Sequence, residues 1–339
     1  MQMDKLIQAI DAIKAQMPMV EIRHSEPMKN HTSIKIGGLV RWMILPNSTE
    51  ELLELCDLLR YWEVVPTIIG NGTNLLVDDS MPLEIIVIKT TKINDVQLTA
   101  EREITAKAGV LLSKLAIYAY EHGLSGLEFA HGIPGTLGGA ISMNAGAYGM
   151  EMKDVVYSTD YIDWMNLQDS TVATCMDALA TPKAIDMDIG ISHYPWVRTV
   201  TGDEHLFSYR HSRFTETSDI ILSSVIRLGS NDKHSIKAKM DELFVRRNES
   251  QPLNMPNAGS AFKRPKDGYA AAMIEQAGLK GFTIGGAQVS LKHSGFIVNN
   301  GSATFADVMA VIDHIKEKVL MQFGVELELE YSIIYEDTR

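Results

Sequence analysis

Glu128-Phe-Ala-His-Gly132-Ile-Pro134-Gly135-Thr-Leu-Gly138-Gly139-Ala-Ile-Ser-Met-Asn144-Ala-Gly146-Ala-Tyr148 is the stretch on which the reading of this chain turns. It holds five glycines and a proline, and neither Lys nor Arg. Glycines at this density let the main chain turn through positive φ and let a ligand approach its N–H groups. Ala130, Ala140, Ala145 and Ala147 keep the wall shallow. Two readings fit equally well: a phosphate cradle made of backbone amides and a helix start, or a tight turn between packed elements. A Gly-rich run alone does not separate them.

Upstream, residues 104–108 read as a strand closed by Gly109, and Leu111, Leu112, Leu115, Ala116 and Ala119 mark a helix ending near Gly123. Before that, apolar runs at 64–69, 75–77 and 85–88 predict strands, the first two joined by a second glycine turn, Gly70-Asn71-Gly72-Thr73-Asn74. That turn has no Lys-Ser/Thr after its last glycine and opens no helix, which excludes a P-loop and a plain Rossmann fingerprint. A third glycine turn, Gly37-Gly38, follows Asn30-His31-Thr32-Ser33. Residues 4–16 have helical apolar spacing, 42–46 predict a strand, and Ser48 with Glu51 reads as a capping box opening a helix that buries Leu52, Leu53, Cys56 and Leu59.

Downstream, 154–164 predicts a strand. Residues 165–205, with Pro182 and Pro195, lack periodicity and read as an irregular insertion with no chemistry assigned. Phe207-Ser-Tyr209-Arg210-His-Ser212-Arg-Phe214 and a strand over 220–228 follow. A helical stretch then carries Lys233, His234, Lys237, Lys239, Arg246 and Arg247, either a solvated face or an approach for an anion. Residues 251–265 read as a loop, 268–277 as a helix stopped by Gly278, and 282–298 as short strands. Thr304 and Asp307 cap a helix running to Gln322 and closed by Gly324. Residues 326–335, alternating Glu and apolar side chains, predict a strand with Glu326, Glu328 and Glu330 on one face.

The 339 residues are 45% hydrophobic and 22% charged, with a net charge of −12. That balance argues against nucleic acid or an anionic membrane as a general partner. No apolar run reaches bilayer length and no signal segment opens the chain, so a cytoplasmic location is expected. Cys56 and Cys175 match no metal or redox spacing, and no metal is expected.

Taken together, the motifs resemble the UDP-N-acetylenolpyruvoylglucosamine reductase family. They are Asn-x-Thr-Ser before Ile36-Gly37-Gly38; Gly70 to Val77; Gly132 to Gly139 with Asn144 to Tyr148; Tyr209-Arg210-x-Ser212; Gly259-Ser260-x-Phe262-Lys263; and a terminal Leu-Glu-x-Glu. The resemblance covers about 30–334. It departs at Leu329, where the family usually has Pro, and at Arg264, where Asn is frequent. It implies an α+β protein with a two-subdomain FAD-binding fold of the vanillyl-alcohol-oxidase type and a C-terminal α+β substrate domain. The corresponding boundaries are 1–90 and 91–228 for the FAD-binding subdomains, 229–323 for the substrate domain, and 324–339 for a strand returning to the FAD-binding part.

The implied activity is NADPH-dependent reduction of the enolpyruvyl ether of UDP-N-acetylglucosamine to UDP-N-acetylmuramate, a step in peptidoglycan precursor synthesis. The implied cofactors are FAD and NADPH, and a monomer is expected. FAD would lie on Ile69, Gly70, Asn71, Gly72, Thr73, Asn74, Leu75, Gly132, Ile133, Pro134, Gly135, Thr136, Gly138, Gly139, Asn144, Ala145 and Gly146. Ser260 would donate the proton, helped by Lys263. Arg210 would stabilise the enolate, and Glu330 would hydrogen-bond the substrate carboxylate while protonated. Tyr209, Lys263 and Asn257 would contact substrate, with Tyr161 and Tyr194 left open. The compact subtype, without a tyrosine loop over the substrate, fits better. The competing readings are another FAD-dependent oxidoreductase on this scaffold, with His131 as a possible flavin attachment point, and a flavin-binding protein without catalysis.

Overall fold

The computed structural model describes residues 2–164, 194 and 196–335. Most of the expected insertion, with Cys175, lies outside the described residues. Leu6, Ile10 and Ile13 recur every three or four residues, giving α1 (Gln2–Gln16) one apolar stripe. A helix of this length is marginal alone. It is held by packing on α2 (Thr49–Tyr61) and on the sheet formed by β1 (Glu21–Pro27), β2 (Leu39–Leu45), β3 (Thr67–Ile69) and β5 (Leu83–Lys89). Strand order is β1-β2-β5-β3, with β2, β5 and β3 parallel. The short β4 (Leu75–Val77) leaves this sheet for a distant partner.

Ser48 Oγ accepts the Glu51 N–H at 3.2 Å, as an N-cap should. The return arm is displaced by one residue, because Glu51 Oε2 accepts from the Asn47 backbone at 2.7 Å and not from that of Ser48. Cys56 is buried in this core, which pushes its thiol pKa up and leaves it a packing residue.

The second sheet comprises β6 (Val96–Ala100), β7 (Glu103–Lys107), β8 (Val156–Ile162), β9 (Val197–Thr201) and β10 (Ile220–Arg227). It is antiparallel throughout, in the order β9-β8-β10-β7-β6. Strand β9 corrects the sequence reading, since the irregular stretch was expected to run to 205. Its alternating Val and Thr side chains suit a strand, and it pairs with β8 from Ser158↔Thr201 to Ile162↔Val197. The strand expected over 154–164 is shorter, with Asp154 instead capping a 3-10 turn. Helices α3 (Leu112–Glu121), α4 (Leu137–Ser142) and α5 (Lys233–Ser250) cover this sheet. Phe129, Leu137 and Ile141 sink the opening Gly-rich stretch into their shared core, so its glycines are held on a rigid base.

A third, antiparallel sheet has the order β11 (Asn257–Ser260), β14 (Phe296–Asn299), β13 (Ala287–Val289), β12 (Thr283–Ile284). The short α6 (Ala270–Gln276) and α7 (Phe305–Phe323) lie on it, α7 through Val308, Val311, Ile312, Ile315 and Val319. Thr304 and Asp307 form a reciprocal capping box at its start, and Gly324, at φ +68°, ends it.

The strand expected over 326–335 is reduced to β15 (Ser332–Ile334), which runs parallel to β4 with Ser332 opposite Leu75. The preceding residues spend their backbone bonds on the loop after β11. Lys263 N–H donates to Glu328 O, and Glu330 N–H to Ala261 O, at 2.9 Å each. This zips Glu330 beside Ser260 and breaks the expected alternation: Glu326 and Glu328 are exposed and Glu330 is not. No helix among the described residues is long and apolar enough to cross a membrane.

Candidate active site

A cleft of about 1330 Å³ runs between the glycine turns, the end of α5 and the 251–260 loop. Residues 69–75 line it, as do Gly132 to Thr136, Gly138, Gly139, Ala145 and Gly146. Among the cofactor residues expected from the sequence, Asn144 does not. It is fully buried; its amide donates to Glu151 Oε2 and to Ser208 O at 2.9 Å each and accepts from Lys153 N–H at 3.0 Å. It therefore anchors the turn that carries Arg210.

The two glycine turns are locked to each other, Asn71 Nδ2 donating to Pro134 O at 2.7 Å. Ser33, which the sequence reading quoted in a motif without giving it a role, ties this pair to the third sheet. Its N–H donates to Gly72 O at 3.0 Å and its hydroxyl to Asn257 O at 2.6 Å. Gly72 sits at φ +63°, and a Cβ there would lie 2.0 Å from His31 O. Gly72→Ala is therefore expected to cost about 1–3 kcal/mol in urea unfolding, because a backbone carbonyl must move. An unchanged midpoint would show that the turn yields freely.

The start of α4 is not the phosphate cradle that the sequence suggested. Leu137 and Gly138 N–H donate to Val110 O and Ala108 O at 2.8 Å each. By contrast, no protein acceptor meets the main-chain N–H groups of Asn71, Gly72, Thr73 and Asn74 among the described residues. Consecutive unpaired amides on a cleft wall suit an anion. Gly135 and Gly139 add bare backbone, with nothing nearer than 3.6 Å to a Cβ built on either. The donors, the size and the glycine-lined wall fit a dinucleotide such as FAD.

At the far end Arg210 Nε donates to Glu330 Oε1 at 2.6 Å, with both side chains largely buried. Arg210 is at φ +55°, in a tight turn where Ser208 and His211 exchange backbone bonds. A non-glycine residue held there stores strain, a frequent mark of a functional position. Burial pushes the Glu330 pKa up, and the Arg210 and Lys263 charges pull it back, leaving it above the usual carboxylate value. Asn74 Nδ2 donates to Glu330 O at 3.0 Å, linking this glutamate to the glycine turn. Ser260 lines the same cleft, its hydroxyl resting on Phe262 O at 3.1 Å.

The other expected contacts are placed less directly. Lys263 Nζ pairs with exposed Glu328, so its charge is shared before it can assist Ser260. It nonetheless lines a side cavity of about 420 Å³ with Arg210 and Glu330. Tyr209 is exposed, accepts from Arg264 N–H at 3.1 Å and lies beside the Arg210 guanidinium. Asn257 uses its amide to brace its own loop, on Pro252 O, Met255 O and Gly259 N–H. Neither Tyr161 nor Tyr194 lines the cleft: Tyr161 packs behind Phe214, which does, and Tyr194 packs on Trp196. His131 packs on Phe244 and is not on the cleft wall. Arg246 and Arg247, expected as either a solvated face or an approach for an anion, line the cleft, and so does Gln251, to which no role was given.

Residues 41–167 match a family model described as an FAD binding domain, and residues 251–334 match one described as UDP-N-acetylenolpyruvoylglucosamine reductase, C-terminal domain. With the glycine-turn cleft, this defines an FAD-dependent oxidoreductase. A UDP-N-acetylenolpyruvoylglucosamine reductase of Caldanaerobacter subterraneus subsp. tengcongensis is 43% identical over 96% of this chain and 98% of its own length. One from Thermotoga maritima is 42% identical over 93% and 99%. The crystal structure of the Thermus caldophilus enzyme of that description superposes with a TM-score of 0.71 at 29% identity, covering 93% of this chain and 99% of the other. The chain belongs to the UDP-N-acetylenolpyruvoylglucosamine reductase family.

Proposed function

We propose that this enzyme reduces the enolpyruvyl ether of UDP-N-acetylglucosamine to UDP-N-acetylmuramate, a step of peptidoglycan precursor synthesis, using Arg210, Ser260 and Glu330. The observation that carries the assignment is the 2.6 Å Arg210–Glu330 contact on the wall of the cleft that also holds Ser260. Bound along the glycine turns, FAD would supply the hydride, drawn from NADPH, that one carbon of the substrate's double bond takes up. The added electron pair leaves an enolate on the carboxylate side, and the neighbouring carbon needs a proton.

Arg210 faces the developing charge. Glu330 engages its Nε, so the rest of the guanidinium fork remains for the substrate carboxylate. Ser260 Oγ gives the proton after its hydroxyl turns away from Phe262 O. Glu330, protonated, presents O–H to a carboxylate that would otherwise repel it. The Asn71–Asn74 turn and the Gly132–Thr136 run hold the cofactor. The proposed divisions fall at about 90, 228 and 323, with α5, although it follows 228, packed on the second sheet; the enzyme acts as a monomer and works in the cytoplasm.

The raised Glu330 pKa sets a pH dependence. The protonated form persists above the usual carboxylate range and is lost as pH rises through the folded pKa. Reoxidation of the reduced flavin by substrate is therefore expected to slow as pH rises through that pKa, and Glu330→Gln should flatten that limb. The measurement is the stopped-flow rate against pH. A limb that survives in Glu330→Gln would assign the titration to another group.

A further inference from the structure

Two cations have no place in the account so far. Arg246 and Arg247 close α5, and both line the cofactor cleft. Elsewhere on that helix two of the three lysines are neutralised, Lys237 by Asp241 and Lys239 by Glu242. Among the described residues no carboxylate pairs with Arg246 or Arg247. Arg247 lies along Gly132, where an added Cβ would come within 2.9 Å of its Cδ. Its Nε is shut off from solvent with no acceptor, and the Oε1 of Gln251, four residues further along the same wall, is shut off with no donor. Burial pushes the Arg247 pKa down, and only the Tyr148 phenol pulls against it. A buried guanidinium N–H without a partner is costly, so the side chain is held here at a cost, and its two terminal nitrogens, which are not shut off in this way, are left on the cleft wall for a ligand oxygen. Arg246 is kept at the same wall by Tyr148, 5.2 Å from its ring centre, whose hydroxyl donates to Leu243 O at 3.1 Å.

We propose that Arg247, pressed on Gly132, is the cationic anchor for the diphosphate of FAD, with Arg246 as a second charge beside it. The reading rests on FAD occupying the cleft. The glycine turns offer amide dipoles and no net charge, while a diphosphate brings two negative charges that a forked guanidinium matches. Arg247 lies on Gly132, in the same run whose Pro134 carbonyl takes the Asn71 amide, which puts the arginine on the glycine-turn side of the cleft.

The test uses apoprotein of the native chain, Arg247→Met and Arg247→Lys. FAD affinity is read by flavin fluorescence across a range of salt, with riboflavin as the ligand lacking phosphate. Arg247→Met is expected to weaken FAD about 10- to 100-fold, the scale of a charge-assisted bond, to flatten the salt dependence and to leave riboflavin affinity unchanged. Arg247→Lys, which keeps the charge and loses the fork, should keep the native salt dependence and lose less affinity than Arg247→Met. Equal losses for FAD and riboflavin in Arg247→Met would overturn the proposal in favour of packing alone. Unchanged FAD affinity with a raised KM for the UDP-sugar would overturn it in favour of the substrate's diphosphate. Should Arg247→Met not fold, the lysine variant decides: loss of both affinity and salt dependence there overturns the proposal, and their retention supports it. A native chain that binds no FAD would fail the cofactor reading itself.

Discussion

Replacing Ser260 with Ala is expected to leave reduction of the flavin by NADPH unchanged and to slow its reoxidation by substrate about 10²- to 10⁴-fold, the range of a lost general acid. The hydroxyl contributes one hydrogen bond, to Phe262 O two residues away. Neighbouring Ala261 and Phe262 supply the buried packing of that loop. The variant should therefore fold, and thermal unfolding should show it. Single-mixing experiments on each half-reaction separate the outcomes. Equal slowing of both halves would mean that Ser260 positions the cofactor and is not the proton source.

The second large effect is expected at Arg210. Arg210→Lys keeps the charge and loses the fork that allows one edge to hold Glu330 while the other meets a carboxylate. Reoxidation should fall about 10²- to 10³-fold, as when a preorganised donor to a developing oxyanion is removed, with substrate KM rising less than the rate falls. Backbone strain does not confound the comparison, because lysine at φ +55° is no worse than arginine. A lysine variant of near-native rate would show that charge alone suffices at this position.

Much of this site was legible because it sits in short local patterns. The three glycine turns, Tyr209-Arg210 and Gly259-Ser260 are each a few residues long, and close backbone approach leaves a residue-type signature such as Gly72 against His31 O. What escaped was set by distant partners. Strand β9 follows a stretch without periodicity, and its Val and Thr residues become a strand by pairing with β8, more than thirty residues earlier. The segment from Glu326 to Glu330 alternates like a strand, yet its bonds go to the Ser260 loop, so spacing could not choose among three glutamates. Burial against Arg210 distinguishes Glu330. Asn144 lies in the most legible motif of the chain but faces inward, because Glu151 and the Ser208 carbonyl take its amide. Arg247 could not be separated from the lysines before it, since only the tertiary fold turns it onto Gly132.

Reduced flavin in this cleft is expected to give its electrons to an enolpyruvyl ether on a UDP-sugar. The most direct measurement is anaerobic. The holoenzyme is reduced with one equivalent of NADPH, mixed with enolpyruvyl-UDP-N-acetylglucosamine, and followed by flavin absorbance. The oxidised spectrum is expected to return without oxygen, with one saturated product formed per flavin. A spectrum that stays reduced until oxygen is admitted would contradict it and point to an oxidase on the same scaffold.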